Sequence, residues 1–164
     1  MGLFTKDLTE YRKQLQKGTV KSAYNALMGY IDNLRLHLKN KYPEYFLSDV
    51  HYGRMDYTYL YFFPKSLKRQ KLKVVILFTH ESFKFEVLLA GYNRTVQETY
   101  WKLFQEKSFN KYQLATTPTE PDRFVSSVLV DNADFSNLDV LTNQIESGIL
   151  KFIGDIEEFL AKHQ

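Results

Sequence analysis

Four runs rich in β-branched and aromatic residues follow one another between residues 45 and 91, and the last passes straight into a helical pattern. They are YFLSDVHYG (45–53), YTYLYFF (57–63), LKVVILFT (72–79) and FKFEVLLAG (83–91), followed by YNRTVQETYWKLF (92–104). Connections this short leave no room for crossover helices, so neighbouring strands must run antiparallel. A four-stranded meander is therefore predicted over 46–52, 57–63, 71–79 and 83–90. In the last strand Phe83, Phe85, Val87 and Leu89 alternate with Lys84, Glu86, Leu88 and Ala90. One face is apolar throughout, and the other becomes apolar toward its end, as if covered there.

The flanking segments read as helices. Phe4, Leu8, Tyr11 and Leu15 recur at helical spacing, which predicts an amphipathic helix over 4–16 ended by Gly18. Thr19 is expected to cap a longer helix to about Asn40, with Val20, Tyr24, Leu27, Ile31, Leu34 and Leu38 on its buried face. Pro64 to Gln70 reads as a polar connection. After Gly91, Asn93 or Thr95 caps a further helix, Thr95 and Glu98 forming a capping box, with Val96, Tyr100, Leu103 and Phe104 inward. TTPTEP is a loop, 122–130 a strand, and Ser136 with Asp139 a capping box opening a last helix to about Ala161. Gly148 and Gly154 weaken that helix or allow a close crossing. The predicted fold is a single α+β domain over 1–164. Its order is ααββββαβα: a mainly antiparallel sheet of about five strands, the meander plus one later strand, packed with four helices.

Composition excludes several chemistries. The 164 residues include no cysteine, so there is no disulfide framework, thiol nucleophile or thiolate metal site. No apolar run has the length of a membrane span or a signal peptide core, and a cytoplasmic protein is expected. Residues 1–42 hold eight Lys/Arg against three Asp/Glu, and residues 131–164 hold two against seven. Two ends of opposite charge are expected to fold near each other.

The candidate sites are few. Pro64–Lys73 carries five cations and no acid, but without glycines or aromatic residues inside it this stretch reads as a solvated tip more than a nucleic-acid patch. Tyr57, Tyr59 and Tyr61 share a strand face and could stack on a flat ligand, although such faces usually lie half under a helix. His37, His51, His80 and His163 stand in no zinc-binding spacing. No nucleophile elbow, phosphate loop or dinucleotide motif is present. The strand–helix junction is the best candidate. Glu86 lies on the second strand face, Asn93, Arg94 and Gln97 at or near a helix N-terminus that favours anions, and Tyr100 and Trp101 one turn later.

FKFEVLLAGYNRTVQETYWKLF, with the preceding LKVVILFTHE, resembles an uncharacterised family of small bacterial α+β proteins of unknown function. The resemblance implies a fold and a bacterial cytosolic setting. The element order is also similar to the core of the restriction-endonuclease-like nucleases, in which an Asp on one strand and a Glu-x-Lys on the next hold magnesium. That resemblance implies Asp49 or Asp56 as the first acid and Glu86 as the second. Leu88, however, stands where the lysine is needed, and Lys84 lies on the wrong side of the acid. The expected function is a non-enzymatic binding or interaction domain with an anion/aromatic ligand pocket at 86–101, formed by Glu86, Asn93, Arg94, Gln97, Tyr100 and Trp101. No catalytic residue, metal or cofactor is assigned. The partner is an unknown small molecule or protein, a homodimer is possible, and neither nucleic acid nor membrane is expected. A divergent or inactive metal-dependent nuclease is the alternative.

Overall fold

The computed structural model describes residues 2–163. Eleven elements follow in the order α1 (Leu3–Lys17), α2 (Thr19–Lys41), β1 (Phe46–Leu47), β2 (Tyr57–Phe63), α3 (Lys65–Arg69), β3 (Leu72–Thr79), β4 (Lys84–Gly91), α4 (Arg94–Glu106), β5 (Gln113–Leu114), β6 (Val125–Val130) and α5 (Leu138–His163). The strands form one sheet in the order β1-β2-β3-β4-β6-β5, with every pairing antiparallel. The meander and the later strand are as expected. The structure adds a sixth strand, β5, and a fifth helix, α3, while the first strand shrinks to two residues. Both outermost strands are two residues long, and β5 covers β6 only at Val125 and Ser126, so β6 is open on that side from Ser127 to Val130.

Alternation decides what each face does. Leu60, Phe62, Val74, Ile76, Phe78, Phe85, Val87 and Leu89 point to one side, where they meet Ile31, Leu34 and Leu38 of α2, Phe104 of α4, and Ile145, Ile149, Phe152 and Ile156 of α5. Each of these side chains is at most 2% exposed, so this is the main core. Gly148 lets α5 cross β6 closely, because a Cβ there would lie 2.6 Å from Leu129 Cδ2, whereas Gly154 faces open space.

The oppositely charged chain ends do meet inside the molecule. His37 and Lys41 of α2 reach the buried Glu146 of α5 at 2.7 and 2.8 Å. Burial pushes the Glu146 carboxyl up, but the hydrogen bonds from Lys41 and His37 outweigh it, and the group sits below the usual glutamate range. Tyr30 and Thr142 add a hydroxyl pair at 2.9 Å between the same helices.

Several helix ends differ from expectation. Gly18, at φ 87°, both closes α1 and precedes α2, so Thr19 is the first helical residue and not a cap. A left-handed turn of this kind is cheap only for glycine. Asn93 caps α4 by accepting from the Val96 N–H at 2.9 Å, which leaves Thr95 inside the helix and no Thr95–Glu98 box. Gln97 and Phe104 are the fully buried positions of α4, and Val96 is only half-buried. At α5, Asn137 accepts from the Val140 N–H at 3.2 Å, the role expected of Ser136. The stretch after Pro64 is not a simple solvated tip. It coils into α3, buries Leu67 completely, and ties to α5 through Ser66 and Glu157 at 2.5 Å.

Candidate functional site

The second face of the sheet carries the candidate site. Tyr59 sits opposite Leu77, which sits opposite Glu86, while Tyr61 sits opposite Val75 and Val75 opposite Leu88. Val75, Leu77 and Leu88 form a small cluster of their own with Tyr59 and Tyr61 packed against it. The buried apolar side chains of α2, α3, α4 and α5 all belong to the other cluster, and only the start of α4 reaches this second face, so no helix lids it. The tyrosine rings themselves shelter it. His51 lies flat on Tyr59, with ring centroids 4.7 Å apart and planes 12° from parallel, and Tyr61 stands edge-on to both rings. Lys73 Nζ lies 5.1 Å from the Tyr61 ring centroid, a cation–π distance.

The opposite wall is built where β4 gives way to α4. Gly91 is required there by proximity. A Cβ on it would lie 2.4 Å from the Gln97 backbone nitrogen and 2.7 Å from its Cα. Gln97 is only 8% exposed, and its carboxamide is fully occupied. Its oxygen accepts from the Gly91 N–H at 3.3 Å, and its amino group donates to the Glu120 carbonyl at 2.8 Å and, more weakly, to those of Pro118 and Arg123 at 3.4 Å. A single side chain thus fastens strand, helix and the loop of residues 118–123. A buried amide with every hydrogen bond made is a rigid joint.

Between these walls lies a cavity of about 580 Å³, within the range of small-molecule sites. Its floor is Val75, Leu77, Leu88 and Ala90, one wall is Tyr57, Tyr59 and Tyr61, and the other is the α4 N-terminus with the 118–123 loop. Lys73, Arg94 and Arg123 bring three cations to it, against Glu120 and Asp122. No carboxylate of the described residues lies within ion-pair distance of Lys73 or Arg94. Arg123 faces Glu86 at 3.9 Å, and its Nε is buried without a hydrogen-bond partner. Burial, then the neighbouring Tyr59 and Asp122, push the Tyr61 hydroxyl above its usual pKa, so it stays a neutral donor. The lining holds no histidine and no serine.

Of the six residues expected at the junction, Asn93, Arg94 and Gln97 line the cavity. Gln97 does so as a structural pin. Glu86 lies beside it, held toward Arg123. Tyr100 and Trp101 do not line it and pack instead against the main core. The Trp101 indole N–H donates to the Ala115 carbonyl at 2.7 Å, at the foot of the loop that walls the cavity. The charged cavity-lining residues that the sequence reading did not place there are Lys73, Glu120, Asp122 and Arg123. The tyrosine alternation was the readable signal, and here that face is not half under a helix.

The acids implied by the nuclease resemblance are not brought together. Asp49, its side chain almost fully exposed, turns toward Arg35 of α2 at 3.5 Å. Asp56 accepts the backbone N–H groups of Arg54 and Tyr57 at 2.9 and 2.7 Å, and these bonds hold its carboxyl below the usual range. Glu86 faces Arg123 on the open side. Among the described residues no group of three or more His, Asp or Glu is gathered as a metal site would need.

Residues 4–160 match the model of a family described as Domain of unknown function (DUF7000), and the chain belongs to that family. No curated protein and no solved structure matches the chain.

Proposed function

We propose that this member of the domain-of-unknown-function family is a binding domain that holds a planar, anion-bearing small molecule against the open face of its sheet. The observation that carries the reading is the cavity of about 580 Å³, which pairs an apolar floor and a tyrosine wall with the unpaired cations Lys73 and Arg94. Flat apolar surface suits an aromatic ring or conjugated system. Cations at the rim suit a carboxylate, sulfonate or phosphate attached to it, and the free edge of the Tyr61 hydroxyl adds a donor. The joint at Gln97 supports the same reading, since a site fixed in advance loses little entropy when it is filled.

The test uses 8-anilinonaphthalene-1-sulfonate, a planar aromatic anion, titrated into the full chain carrying Leu8→Glu so that helix α1 offers no rival apolar surface. Saturable binding is expected, with a change in Trp101 emission as the 115–123 loop responds. Leu88→Lys in the floor and Arg94→Glu at the rim are each expected to weaken it tenfold or more, while circular dichroism stays unchanged. Affinity in both variants equal to that of the parent, or no saturable binding by the parent chain, refutes the reading.

A further inference from the structure

Helix α1 spans fifteen residues and buries none of them. Phe4, Leu8, Tyr11 and Leu15 are 75%, 47%, 60% and 40% exposed. Their steps of four, three and four place them in one narrow stripe, the seam of a two-heptad coiled coil. The same kind of stripe is covered by the sheet in α2 and α5. A helix of this length is marginal when nothing packs on it, and a bare stripe with two aromatic rings is an unsatisfied surface.

The charges beside the stripe indicate the cover. Asp7 directly precedes Leu8 on one flank, and Arg12 directly follows Tyr11 on the other. When two copies of such a helix pair in parallel, the residue before one seam position faces the residue five places further along the partner. Asp7 of each copy then meets Arg12 of the other, and two-fold symmetry makes the contact twice. Antiparallel pairing sets each flank against itself, so that Asp7 meets only Gln14 and Arg12 only Thr5. The remaining charges, Lys6, Glu10, Lys13 and Lys17, fall on the outer surface, clear of the seam. An anionic lipid surface is a poorer match, because it would meet the acid Asp7 at the edge of the apolar stripe.

We propose that α1 is a self-docking element through which two copies of this chain associate as a parallel helix pair. Phe4, Leu8, Tyr11 and Leu15 form its seam, and reciprocal Asp7–Arg12 contacts set its direction. The variants that probe it touch no buried residue, so the fold is preserved in each.

The experiment is sedimentation equilibrium on the full chain from micromolar to submillimolar concentration. A concentration-dependent dimer is expected, with Leu8→Glu monomeric throughout. Asp7→Arg alone and Arg12→Asp alone each place like charges on both flanks and are expected to weaken association tenfold or more. An equimolar mixture of the two restores opposite charges on both flanks and is expected to recover a dimer containing one chain of each. A parent chain that stays monomeric overturns the proposal. So do single variants that associate as well as the parent, or a mixture that associates no better than its components. Phosphatidylcholine/phosphatidylglycerol vesicles form the last arm: monomers that bind them through a stripe abolished by Leu8→Glu would assign the face to lipid and overturn it as well.

Discussion

Three glycines in this chain, one at the end of β4 and two inside α5, differ in what stands over the missing side chain, and adding one methyl to each should give three different answers. At Gly91 the new Cβ would lie 2.4, 2.7 and 2.8 Å from the N, Cα and Cβ of Gln97. Two of those atoms are backbone in the first turn of α4, so relief requires the whole helix start to back away from β4. That also stretches the Gln97 bonds to Gly91 and to the loop. Overpacking of this kind costs about 1–3 kcal/mol when side chains can yield, and a backbone obstacle belongs at the top of that range. With a urea slope of about 2 kcal/mol/M, a loss of about 3 kcal/mol lowers the unfolding midpoint by about 1.5 M. At Gly148 the close atom is Leu129 Cδ2 at 2.6 Å, the far end of a half-buried side chain that can turn. Its strain is offset by the gain of about 0.5–1 kcal/mol that alanine brings inside a helix, leaving stability within about 1 kcal/mol of the parent. At Gly154 nothing lies within 4 Å, the position is exposed, and only the helical gain remains. Gly154→Ala should therefore stabilise by about 0.5–1 kcal/mol. Urea unfolding followed by circular dichroism ranks the three, with Gly154→Ala above the parent, Gly148→Ala near it and Gly91→Ala far below. A Gly91→Ala midpoint within about 0.3 M of the parent would mean that α4 is not pressed against β4, and the account of the cavity wall would fall with it.

Two further outcomes rest on single side chains. Gln97→Leu keeps the volume but strands the carbonyls of Glu120, Pro118 and Arg123. It should cost about 1–3 kcal/mol and speed amide exchange in residues 115–124 selectively, and uniform exchange rates would count against the joint. Hydrogen bonds from Lys151, then Tyr112, at 2.8 and 2.5 Å, hold Asp155 down to a pKa of about 2 from 3.8. The unfolded chain takes up that proton first, so the stabilisation is present above about pH 4 and is lost as the pH falls toward 2. Asp155→Asn should flatten the stability profile in that window, and an unchanged slope would show that other carboxylates govern it.

The sequence made the centre of the sheet readable and its margins obscure. β2, β3 and β4 are long enough for period-two alternation to show, and the Gly91–Asn93 break marked the start of α4 within a residue or two. β1 and β5 have two residues each, too few for any periodicity, and α3 is a single turn announced by one buried leucine. Half of the six residues expected at the junction, Asn93, Arg94 and Gln97, line the cavity and were legible because a capped helix start leaves a local signature. Lys73 and Arg123 were not, because they reach the cavity through strand register and a loop closed by Gln97, relations between distant segments. Tyr100 and Trp101 were misplaced for the converse reason: position along a helix gives the face, but not which wall that face meets. The stripe of α1 reads like the stripe of α2, yet only one is covered. Periodicity reports that a surface is apolar and is silent about what lies on it.

The two-residue strands at both margins of the sheet have a bearing on how this molecule behaves in company. A sheet grows by offering unpaired backbone groups to a passing strand, and long bare edges invite runaway stacking. Here the long, strongly apolar strands β3 and β4 are flanked on both sides by other strands, and the rim is limited to β1, β5 and the short stretch of β6 beyond Ser126. Association by strand addition is thereby discouraged. Recognition is left to side chains on helix and sheet faces, where geometry limits the number of partners.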